Sequence, residues 1–102
     1  MISFVKKQYD IDSNRIYITG LSAGAAMSVV MLATHPELFS CGAIFAGCAY
    51  KLATNGVKTV LGNKDVSTEK LVNDIREQNP AYKGQYPNVI VYQGLNDPIV
   101  NY

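Results

Sequence analysis

The residue in this sequence best placed to do chemistry is a serine between two glycines, where a strand-like run meets a helix-like one. The stretch reads Arg15-Ile16-Tyr17-Ile18-Thr19-Gly20-Leu21-Ser22-Ala23-Gly24. Arg15 to Leu21 has the β-branched and aromatic content of a short strand, and an apolar helix-forming run opens at Ala23. A serine at so tight a strand-to-helix turn sits in a strained backbone conformation, and residues two before and two after it must lack bulk. The turn would lift the Ser22 hydroxyl above the sheet edge as a nucleophile. It would also aim the Ala23 N–H, at the positive end of the helix, toward an oxyanion forming on the attacked carbonyl. The competing reading is a Gly/Ser-rich turn that only packs or binds an anion.

A second chemical group stands at Gly94-Leu95-Asn96-Asp97-Pro98. Asp97 follows the apolar run Asn88-Val89-Ile90-Val91-Tyr92-Gln93, so it lies beyond a strand's carboxyl end, where ligands gather in parallel sheets. Its plainer reading is a turn aspartate ahead of a proline. Asp65 is the alternative carboxylate, but it follows no clear strand. His35 is the only histidine. It falls at the far end of the helix that starts after Ser22, roughly 20 Å away at the helical rise, and cannot serve Ser22 without unwinding that helix. One histidine and two cysteines have no metal-ligand spacing, so neither metal nor cofactor is expected.

The elements that must position these groups follow from pattern. Ile2, Val5 and Tyr9 recur at helical spacing, and Asp10 to Asn14 form a polar turn before the first strand. Ala23 to about Thr34 is apolar on nearly every side, which predicts a helix buried between a sheet and other layers. Pro36 ends it. Cys41 to Ala46, closed by Gly47, reads as a strand buried on both faces. Lys51 to Val66 has no clear period and reads as a loop, with a short turn at Leu61-Gly62-Asn63. Ser67 or Thr68 caps a helix running through Gln78, with Leu71, Val72 and Ile75 on its apolar face. Asn79-Pro80 stops it, and Ala81 to Pro87 links it to the last strand. Strand, helix, strand, helix, strand predicts an α/β fold with a parallel sheet in a three-layer αβα arrangement.

Composition narrows the function. A chain of 102 residues with 48% hydrophobic and 17% charged residues is one globular domain at most. Its net charge of +1 offers nothing to nucleic acid or to an anionic membrane. The uncharged run from Ile16 to Pro36 is long enough to span a bilayer, but its glycines, serines and strand-like start favour a strand followed by a helix. No signal peptide is visible after Met1. Cys41 and Cys48 flank an extended segment, some ~20 Å apart, which argues against a bridge between them. Both read as buried free thiols.

Tyr9 to Gly24, Ala33-Thr34-His35-Pro36-Glu37-Leu38-Phe39 and Ala43-Ile44-Phe45-Ala46-Gly47 resemble the polyhydroxybutyrate depolymerase/feruloyl esterase group of α/β-hydrolases. The resemblance runs from about Tyr9 to Tyr50 and resumes from Pro87 to Tyr102. Ala25 stands where the family often has a further glycine, and Gln93 where relatives commonly have histidine. The resemblance implies a serine esterase in which Ser22 is the nucleophile, Asp97 orients the histidine, and the Ala23 N–H serves the oxyanion. It also implies polyester or hydroxycinnamoyl-carbohydrate substrates and an extracellular location. The catalytic histidine and the earlier strands of such a fold have no counterpart in residues 1–102, so the chain reads as a partial hydrolase domain. Alone it is expected to be inactive, and to self-associate through an exposed sheet edge and bare apolar surface near Val29 and Val30. The alternatives are a non-catalytic scaffold of hydrolase architecture and an acyltransferase using the same serine.

Overall fold

The computed structural model describes residues 1–51 and 66–100. Helix α1 (Ile2–Gln8) leads through a polar turn, in which Asp12 accepts from the Asn14 N–H, to strand β1 (Tyr17–Leu21). Helix α2 (Ala23–Thr34) follows, then a 3-10 turn (Pro36–Leu38) and strand β2 (Cys41–Phe45). Helix α3 (Thr68–Arg76) and strand β3 (Asn88–Tyr92) complete the order. The expected turn at Leu61-Gly62-Asn63 and the alternative carboxylate Asp65 lie outside the described residues.

The three strands form one parallel sheet in the order β1-β2-β3. Leu21, Phe45 and Tyr92 lie in register across it, so the residues following them emerge side by side at the sheet's carboxyl edge. Side chains alternate between faces with period two, which divides the sheet cleanly. Ile18, Gly20, Gly42 and Ile44 turn toward α2, and Leu32 of α2 fills the space that a side chain at Gly42 would need. The buried cluster is Ala25, Leu32, Phe39 and Ile44, with Ile2, Ile16, Ile18 and Val29 partly buried around it. On the opposite face Tyr17, Leu21, Phe45, Ile90 and Tyr92 are exposed. Helix α3 packs on α2.

Three expectations about burial are corrected. Helix α2 is buried along one stripe only (Ala25, Ser28, Leu32 and Ala33), while Met27 is 61% exposed. The one buried hydroxyl on that stripe, Ser28, donates to the Gly24 carbonyl at 2.9 Å. Strand β2 is not buried on both faces: Gly42 and Ile44 are buried, Cys41 and Ala43 half-buried, and Phe45 exposed. Strand β3 forms as its apolar run predicts, yet all five of its residues are exposed, because α2 lies over β1 and β2. The bare apolar surface is therefore on Tyr17, Leu21, Met27, Val91 and Tyr92, whereas Val29 and Val30 are half-buried.

Helix α3 starts where its cap predicts and ends at Arg76, two residues short of Gln78. None of its residues is buried; Leu71 and Ile75 are half-buried and Val72 is exposed. Among the described residues no helix is long and apolar enough to cross a membrane.

Candidate active site

Ser22 has φ 54° and ψ −117°, a left-handed conformation that side-chain-bearing residues rarely adopt. The turn is possible because the chain folds back closely on itself. A Cβ on Gly20 would run into the Gly24 carbonyl and lie 2.6 Å from the Ala25 nitrogen. Gly20 thus meets a steric demand. Gly24 does not: a Cβ there meets nothing within 4 Å, so the expectation that both flanking glycines are required holds for Gly20 alone.

The twisted backbone has a chemical consequence. A serine preceding a helix ordinarily turns its oxygen onto a free N–H of the first turn. Ser22 makes no such capping bond, and it is exposed. Its backbone is held instead by its N–H donating to the Phe45 carbonyl at 2.9 Å, and by its carbonyl accepting from the Ala26 N–H at 3.0 Å. Ala23 is the first residue of α2, so its N–H has no acceptor within the helix and points out at the sheet's carboxyl edge.

The neighbouring strand ends carry features that sequence reasoning missed. Ala46, directly after β2, is also left-handed at φ 46°, and its N–H donates to the Tyr92 carbonyl at 2.9 Å. Phe45 and Tyr92 stack with ring centroids 4.7 Å apart and planes 6° from parallel, on the face away from α2. The apolar runs signalled two strands, but not that their last residues would lie in register.

Asp97 sits in a turn closed by its own N–H donating to the Gly94 carbonyl at 3.2 Å. Its Oδ1 accepts from the N–H groups of Val100 (3.0 Å) and Ile99 (2.8 Å), and its Oδ2 from Gln93 Nε2 at 3.3 Å. The Val100 and Ile99 amides hold its carboxyl below the ordinary aspartate range, partial desolvation opposes them, and Gln93 adds to the lowering. The group is ionised at neutral pH.

Ser22 and Asp97 emerge from strands separated by β2, two strand spacings or about 10 Å apart in backbone terms. His35 is not brought there. It terminates α2 at the opposite edge of the sheet, with Nδ1 3.4 Å from Glu37 Oε1. Cys41 and Cys48 are free and half-buried rather than buried, and desolvation pushes the Cys48 thiol up.

A cavity of about 380 Å³ lies between α2, α3 and the start of β3, lined by Val29, Leu32, Tyr50, Val72, Arg76 and Val89. Neither Ser22 nor Asp97 lines it. Among the described residues no group of three His, Cys, Asp or Glu side chains could hold a metal ion.

Comparison with known proteins gives these features a context. A family model described as the prolyl oligopeptidase family matches residues 1–102. The chain is 30% identical over 111 residues to feruloyl esterase B of Talaromyces stipitatus, covering 100% of this chain and 31% of that protein. It is 34% identical over 105 residues to acetylxylan esterase A of Aspergillus ficuum, covering 95% of this chain and 35% of that protein. It is 36% identical over 100 residues to poly(3-hydroxyalkanoate) depolymerase C of Paucimonas lemoignei, covering 95% and 24%. The chain thus spans 24% to 35% of the length of these curated relatives.

Proposed function

The chain belongs to the prolyl oligopeptidase family of α/β-hydrolases, and from that premise we propose that it carries the nucleophile and the acid of a serine esterase. The observation that carries the reading is the left-handed backbone of Ser22, between a parallel strand and a helix, with the hydroxyl withheld from capping. Strain of this kind persists only where surrounding structure enforces it, and it concentrates at sites of chemistry.

In the mechanism, Ser22 Oγ attacks an ester carbonyl while a histidine from outside this chain takes its proton. The oxyanion of the tetrahedral intermediate is received by the Ala23 N–H. Collapse expels the alcohol, protonated by the imidazolium, and leaves an acyl-enzyme that water hydrolyses by the same steps. Asp97 holds the imidazole in the productive tautomer and stabilises its charged form, a role that suits a carboxyl ionised at neutral pH. The family takes its name from a peptidase and the relatives theirs from esterases; fold does not decide the leaving group. The esterase names support our reading. The relatives' names support feruloyl, acetyl and polyhydroxyalkanoate esters as the substrate class, and with it an extracellular location for the whole protein.

The domain is read as partial, with the base and the remaining strands supplied by a longer polypeptide. The 102-residue chain alone has no base for Ser22, so it is inactive. Among the described residues both edges of the three-stranded sheet are open, so it self-associates.

A fluorophosphonate probe tests the assignment on the polypeptide that carries this chain. Labelling and hydrolysis of feruloyl or acetyl esters are expected to vanish in Ser22→Ala, and peptide amides to turn over far more slowly than esters. Labelling that survives Ser22→Ala would refute the nucleophile; faster turnover of the amide would refute the esterase reading.

A further inference from the structure

Gln93 is the first residue beyond β3 and the last before the turn that carries Asp97. It is half-buried, and its side-chain amide reaches across to the far limb of that turn. Nε2 donates to the Val100 carbonyl at 2.7 Å and to Asp97 Oδ2 at 3.3 Å. Val100 is engaged twice, since its own N–H donates to Asp97 Oδ1 at 3.0 Å, and it is buried. Strand end, carboxylate and turn end are thereby closed into one hydrogen-bonded unit.

The geometry points to Gln93 as the positioning residue for Asp97, an inference that rests on reading Asp97 as the triad acid. Two backbone amides hold Oδ1, but they leave the plane of the carboxylate free to tilt about that oxygen. The amide of Gln93, anchored by its shorter bond to Val100, restrains Oδ2 and so sets the plane. A primary amide nitrogen has two hydrogens, so a single side chain holds both acceptors. Oδ2 accepts one long bond and keeps acceptor capacity for a histidine N–H. A misaligned carboxylate would mis-set the imidazole and slow proton transfer, with little effect on substrate binding.

The test uses the polypeptide that carries this chain, with Gln93→Met, Gln93→Glu and Asp97→Asn. Gln93→Met keeps the length and removes the donor; about a tenfold loss in kcat with KM within about twofold is expected. Gln93→Glu keeps the shape and opposes two carboxylates, so its loss at about pH 8 is larger. Its deficit is expected to narrow severalfold at about pH 5.5, as the introduced carboxyl takes up a proton and donates again. A purely structural role would give a deficit that does not follow pH. A folded Gln93→Met variant with kcat within twofold of the parent overturns the inference, as does a Gln93→Glu deficit unchanged across that range. If Gln93→Met does not fold, the pH dependence of Gln93→Glu decides alone. Full activity in Asp97→Asn is a different failure, since it removes Asp97 as the acid, and the role of Gln93 with it.

Discussion

Two helices of this chain begin at a serine, and the two serines do opposite things. Ser67, ahead of α3, has extended backbone (φ −66°, ψ 147°), and its oxygen accepts from the Lys70 N–H at 3.2 Å. Ser22, ahead of α2, is left-handed and caps nothing. An extended N-cap aims its side chain back over the first turn, whereas positive φ swings it clear of the helix. Helix α2 thus forgoes about 1 kcal/mol of capping and carries about 1–3 kcal/mol of backbone strain. Tertiary contacts offset this: the Ser22 N–H bond to β2, and the burial of Ala25 and Leu32 with Ile44. Helix α3 buries no residue, so its local cap matters. A helix anchored by a core stripe can release its leading serine for other work; a surface helix cannot.

The comparison can be broken most severely at Gly20. Gly20→Ala forces a methyl group against backbone atoms of α2, which cannot rotate away, and should destabilise by about 3 kcal/mol or more. Urea unfolding of the variant beside the parent measures it, and a loss under about 1 kcal/mol would mean that the close approach is not what shapes the turn. A smaller effect sharpens the contrast between the serines. Ser67→Ala should cost about 1 kcal/mol, while Ser22→Ala stays within about 0.5 kcal/mol of the parent. Equal losses would show that Ser22 caps after all. The smallest effect probes strain directly. Ser22→Gly relieves the positive φ and should stabilise by about 0.5 kcal/mol in the same measurement, with activity lost; a destabilisation would remove strain from the account.

Much of the candidate site's local structure could be read before any fold was known, because its parts are local. The strand-turn-helix at Ser22 is written in a β-branched run, a glycine and an apolar helix, all within a dozen residues. The Asp97 turn is marked by glycine and proline on either side, and the Ser67 cap by a serine ahead of an amphipathic run. Gly20 and Gly24 show where such reading stops. They are symmetric about Ser22 in sequence, yet only Gly20 lies under another segment of backbone. Nothing in the pentapeptide distinguishes them.

By itself the sequence determined element type and order, and with them a parallel sheet whose carboxyl edge carries both Ser22 and Asp97. These follow from interactions spanning a few residues, which propensity and period record directly. Tertiary structure decided the rest: that β2 stands between the two candidate residues, that the apolar β3 is exposed, and that α2 buries a single stripe. It also assigned Gln93 to Val100 and Asp97, and kept His35 at the far edge. Burial depends on which other segment arrives at a surface, and a side-chain hydrogen bond on which acceptor is folded into reach. Neither is a property of the residue or of its neighbours in the chain.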